Sequence, residues 1–115
     1  MGYWKIDADN EKQLLNIELV GEIPYEQALN FLPDFFKAQE KIEPKECKIV
    51  FDLGRYKLYP SQVEEILKIF FEIYRDKEYK VVVMKIFRPQ KELARKMRLL
   101  AEKVGLTTLE FFIID

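Results

Sequence analysis

Apolar residues recur in steps of two near the N-terminus and in steps of three and four further along. Tyr3 to Ala8 reads as a first strand, and Asp9-Asn10-Glu11-Lys12 as a polar turn. Leu15, Ile17 and Leu19 then alternate with Asn16 and Glu18. A period of two marks a strand with one face buried and one turned to water or lightly covered. The first two strands therefore form an antiparallel hairpin. Gly21-Glu22-Ile23-Pro24 breaks the second strand. A helix follows from about Tyr25 to Lys41, with Ala28, Phe31, Leu32, Phe35 and Phe36 on its inner side. Pro33 lies inside that pattern, and its missing N–H and its ring predict a kink or two short helices.

Lys41 to Lys45, with Pro44, is a connector. Cys47 opens a third strand whose apolar run is Ile49-Val50-Phe51, ended by Asp52 and Gly54. A loop carries the chain to Ser61, which has Glu64 three residues on, the pattern of a capping box at a helix start. This helix is followed by the turn Asp76-Lys77-Glu78 and a strand from Tyr79 to Phe87. Pro89 stands near the start of a third helix, buried through Leu93, Met97, Leu100, Ala101 and Val104 and ended by Gly105 at the C′ position. Thr108 to Ile114 is the last strand. The order β-β-α-β-α-β-α-β places the chain in the α/β class. It predicts a mostly parallel sheet with right-handed crossovers and an N-terminal antiparallel hairpin.

Composition narrows the chemistry. The 115 residues are read as one domain, long enough to bury its own core. The formal charge is −1 with both signs dispersed, so no nucleic-acid partner is expected. With no histidine and one cysteine, a disulfide framework within the chain is excluded and a thiol or imidazole metal site is not expected. No apolar run reaches membrane-spanning length, and a reducing, cytoplasmic setting is expected. Neither a Gly-rich phosphate loop nor a Ser-His-Asp set is present, so no enzyme and no cofactor are expected.

The stretch from Ile49-Val50-Phe51-Asp52-Leu53 to Pro60-Ser61 resembles the STAS domain. That fold is shared by bacterial anti-sigma factor antagonists, cytoplasmic domains of sulfate transporters and small SpoIIAA-like proteins. The resemblance runs from about Leu14 to Ile114. Antagonists of this kind carry an acidic residue, Ser, Ser or Thr, then Gly at the helix start, and the second hydroxyl is the phosphorylated one. Here those positions read Pro60, Ser61, Gln62 and Val63. The acidic residue, the switch hydroxyl and the glycine are absent, which implies a divergent SpoIIAA-like member without the usual phosphoserine switch. Such members have been linked to apolar or lipid ligands.

The candidate binding residues are Asp52, Arg55, Tyr56, Tyr59, Ser61, Gln62 and Phe71. Asp52 is either an acid–base group or, as its lack of nearby catalytic partners favours, a carboxylate that orders the chain at a strand end. Arg55-Tyr56-Lys57-Leu58-Tyr59 is a loop at the C-terminal edge of a strand, where open α/β sheets bind ligands. Ser61, the one serine, is read as an N-cap before a phosphate acceptor. Phe71 sits on a shoulder of an apolar arc wider than the ~100° stripe of an ordinary surface helix. Burial between two neighbouring helices explains that width, and so does a partner or homodimer surface. A regulatory protein-interaction domain is the first functional reading. A carrier of a small apolar or anionic ligand, with a pocket near Phe31, Phe35, Phe36 and Phe70, is the alternative, and a purely structural module is the third.

Overall fold

The computed structural model describes residues 2–23, 25–57, 60–87 and 91–114, with the side chains at 25, 28, 56, 57, 60–64 and 66 left out of the description. Five strands form one sheet in the order β1 (Tyr3–Asp9), β2 (Leu14–Glu22), β3 (Lys48–Lys57), β4 (Val81–Phe87), β5 (Leu109–Ile114). β1 and β2 are the expected antiparallel hairpin, with Ile6 opposite Ile17. The other three pairs are parallel. The helices are α1 (Tyr25–Leu29), α2 (Phe31–Gln39), α3 (Pro60–Lys77) and α4 (Lys91–Val104). A short 3-10 turn, Pro44–Glu46, lies in the connector.

The expected first helix is split in two at Asn30. Pro33 stands third in α2, inside the first turn, where a missing N–H costs no intrahelical hydrogen bond. Gly105 ends α4 at φ +84°, as its C′ position requires. Arg75 in α3 donates from Nη1 to the Val104 carbonyl oxygen at 2.7 Å, which satisfies one of the orphan acceptors at that helix end.

Strand order follows chain order, so each crossover steps the same way across the sheet. Right-handed crossovers that all step the same way put every connecting helix on one face. Leu15, Ile17, Ile49, Phe51, Leu53, Val82, Met84 and Ile86 from the sheet share one core with Phe31, Phe35, Phe70, Phe71, Tyr74, Met97 and Leu100 from the helices. The opposite face carries Lys5, Asn16, Glu18, Asp52, Lys85, Glu110 and Phe112, with no helix over it among the described residues.

Two expectations about the helices are corrected. Phe71 is fully buried and is not a surface shoulder, because α3 lies between α4 on one side and the α2 aromatics on the other. The wide apolar arc is the signature of two helical neighbours. Phe36 is 42% exposed and is not on the inner side of α2. The buried residues of α2 are Phe31, Phe35 and Gln39, a strict i, i+4, i+8 row, and Phe36 falls one step around the helix from it.

Gln39 is the buried polar residue of this core, and its Oε1 accepts from the Tyr79 hydroxyl at 2.6 Å. The Tyr74 ring stands edge-on to Tyr79, with centroids 5.8 Å apart, but its hydroxyl is buried without a hydrogen-bond partner among the described residues. Burial raises both phenols above their ordinary pKa, and it raises the buried Cys47 thiol as well. These two tyrosines should respond in opposite ways to loss of the hydroxyl. Tyr79→Phe strands the Gln39 oxygen and is expected to cost about 1–3 kcal/mol, whereas Tyr74→Phe removes an unsatisfied group and should cost nothing. Urea denaturation midpoints at constant slope measure both.

Candidate binding site at the end of the third strand

β3 was expected to end at Asp52 and Gly54, but it continues to Lys57. Arg55, Tyr56 and Lys57 are therefore not loop residues. They extend the strand beside Val20, Gly21 and Glu22 of β2. The β3–β4 pairing, in contrast, ends at Asp52 opposite Lys85. β4 goes on alongside β5 to Phe87. Among the described residues, the register of β3 beyond Asp52 runs with β2, from Arg55 opposite Val20 to Lys57 opposite Glu22.

A bulge precedes this stretch. Asp52 pairs with Glu18 and Arg55 with Val20, so β3 takes three steps while β2 takes two. An extra residue in one strand disrupts the ladder locally and re-aims the side chains beyond it. Strict alternation would put Arg55 on the face of Phe51 and Leu53, inside the core. The bulge moves it to the register of Val20 on the uncovered face, where Arg55 is exposed. Burying an unpaired guanidinium would cost several kcal/mol, so the slip in register resolves a conflict written into the sequence.

Asp52 holds the bulge. Its Oδ1 accepts from the Gly54 N–H at 3.0 Å, two residues ahead in a local turn. Asp52 is part-buried on the uncovered face. This is the chain-ordering role, and no cluster of candidate metal ligands is found among the described residues. Gly54 sits close beside the Asp52 carboxylate. A Cβ there would stand 3.3 Å from Asp52 Oδ1, 3.4 Å from Ile114 Cδ1 and 3.6 Å from Phe87 Cε2.

The remaining site residues divide. Phe71 is removed from the site by its burial. Tyr56 holds a place in β3 opposite Gly21, Ser61 and Gln62 are the second and third residues of α3, and Tyr59 lies outside the described residues. α3 begins at Pro60, so Ser61 is inside the helix and is not its N-cap. Proline fits the first helical position because its φ is preset and its N–H is not needed. Sequence reasoning missed the bulge, although a glycine within a strand pattern was its signal.

Of the aromatic residues proposed to line a pocket, Phe31, Phe35 and Phe70 instead fill the core, and Phe36 is exposed. Phe31, Phe35 and Phe70 have ring centroids 5.3–6.1 Å apart, the spacing of rings in contact. Among the described residues, two surface clefts lie elsewhere. One of about 390 Å³ sits between α4 and the outer edge of β5, and one of about 330 Å³ between Trp4 of β1 and α2. In the second, the Trp4 indole Nε1–H donates to Asp34 Oδ2 at 3.0 Å.

Asp52→Ala is expected to release the Gly54 amide and lower stability by about 1–2 kcal/mol, with Asp52→Asn losing less because it keeps an acceptor. Chemical denaturation of the two variants beside the parent measures the difference, and equal midpoints for all three would contradict the role assigned to Asp52.

No family model matches the sequence. No curated protein matches it either. Among solved structures, an uncharacterized DUF3478-family protein with a SpoIIAA-like fold, from Shewanella loihica PV-4, superposes at a TM-score of 0.62 and 20% identity. The match covers 99% of this chain and 86% of that one. With its hairpin, its parallel strands in chain order and its helices on one face, this chain has the SpoIIAA-like fold, the STAS architecture that its sequence resembles.

Proposed function

We propose that the protein is a non-enzymatic, STAS-like regulatory domain that works in the cytoplasm by binding a partner protein, without a phosphoserine switch. The observation that supports this reading is the end of β3. A bulge turns Arg55 to an exposed position on the strand segment that pairs with Val20 to Glu22 of β2, directly ahead of the α3 start. Arginine there offers planar, charge-assisted hydrogen bonds on a surface with little order to lose. Tyr56, Tyr59, Ser61 and Gln62 belong to the same contact surface in this reading. The α3 start reads Pro60-Ser61-Gln62-Val63, which provides neither the acidic residue nor the second hydroxyl nor the glycine of a phosphorylated antagonist.

The test separates binding from folding. Arg55→Ala with Tyr56→Ala is expected to keep the circular dichroism spectrum and denaturation midpoint of the parent while losing a partner captured by affinity pull-down from the native host. Equal recovery of every partner by parent and variant would remove this surface from the function.

A further inference from the structure

The two edges of the sheet are built differently. β1, at one edge, carries Lys5, Asp7 and Asp9, and charges of this kind discourage pairing with another chain. β5, at the other edge, is Leu109-Glu110-Phe111-Phe112-Ile113-Ile114, with one charge in six residues. Among the described residues it pairs with β4 and lies at the edge of the sheet. Phe112 is 58% exposed and Ile113 43% exposed. An apolar strand at the edge of a sheet is a template for strand addition.

A cleft of about 390 Å³ runs along this edge, between β5 and α4. Leu109, Phe111, Ala101 and Leu106 give it apolar walls, and Arg98 and Glu102 stand at it from α4. The Arg98 guanidinium lies 5.0 Å from the centre of the Phe111 ring. Ile113 shares the face of Leu109 and Phe111, since these three pair with Ile86, Val82 and Met84 of the core face. One strand therefore carries a protruding apolar side chain near one end and a cleft near the other.

We infer that β5 pairs antiparallel with β5 of a second copy, making one continuous sheet across a two-fold axis. Two features of the edge favour a copy of this chain over another occupant. A two-fold axis near the middle of β5 reverses the strand, so Ile113 of each copy meets the Leu109–Phe111 cleft of the other. The same reversal acts on α4, which runs opposite to β5. Arg98 and Glu102 are one helical turn apart on it, so Arg98 of each copy faces Glu102 of the other. Such a surface is self-complementary in shape and in charge, as an isologous interface must be. The surface is distinct from the β3 end, so the dimer and the partner-binding reading stand or fall separately.

Sedimentation equilibrium of the full chain over a dilution series tests the inference. The parent should be a dimer in equilibrium with monomer. Ile113→Lys should weaken the dimer at least about tenfold, a loss of roughly 1.4 kcal/mol, with the circular dichroism unchanged. Arg98→Glu and Glu102→Arg should each weaken it, and the double exchange Arg98→Glu with Glu102→Arg should restore it. A parent that stays monomeric to its solubility limit would overturn the inference and leave the edge to a different chain. A dimer indifferent to Ile113→Lys and to both single exchanges would overturn it too, by placing the contact elsewhere. If Ile113→Lys does not fold, the charge exchanges decide alone, since their residues are exposed on α4.

Discussion

The structure depends on one constraint of handedness. Strands laid down in chain order and joined by right-handed crossovers send every helix to the same face of the sheet. That face must then bury the apolar sides of the sheet and of the helices laid on it in one interior. The sequence meets this demand with aromatic residues. Phe31, Phe35, Phe51, Phe70 and Tyr74 touch ring to ring across α2, β3 and α3, at centroid distances of 5.3–6.3 Å. Each such ring buries a large apolar area, and ring pairs add to that. α3 sits in the middle of the layer, which is why its apolar arc is wide and why Phe71 has no surface to offer.

Among the described residues the other face receives no helix, and the features that bear on binding collect at the margins of the sheet. β3 is the central strand, and among the described residues its register with β4 ends at Asp52 while its register with β2 goes on to Lys57. The Asp52–Gly54 hydrogen bond stabilises the bulge at that point, and the bulge decides that Arg55 faces water. Local geometry, burial cost and exposure of a potential contact residue are thus one chain of cause. Phe87 and Ile114 approach Gly54 from β4 and β5, within ordinary contact distance of where a Cβ would stand.

Much of this was legible in the sequence because period carries it. The two-residue alternation of Leu15, Ile17 and Leu19 gave the hairpin and its half-buried face. The four-residue row of Met97, Ala101 and Leu100 with Val104 gave the buried side of α4, and Gly105 its end. The site was less legible. Asp52 and Gly54 read as a strand terminus because both residue types end strands more often than they bend them. Only the pairing partner reveals that β3 continues. The Phe71 reading failed because an apolar arc records how much of a helix is covered but not by what. The Tyr79–Gln39 hydrogen bond joins residues far apart in the chain, and neither carries a local pattern that points to the other.

The central claim is that β3 changes character at Asp52, where its register with β4 ends among the described residues and a bulge in its pairing with β2 turns Arg55 outward. Residue-resolved amide hydrogen exchange under native conditions reads this most directly. Amides from Ile49 to Asp52 should exchange only through global unfolding, while among Arg55, Tyr56 and Lys57 at least one should exchange by local opening, orders of magnitude faster. Uniform protection from Ile49 through Lys57, at the global rate, would contradict the account and with it the assignment of the strand end as the binding site.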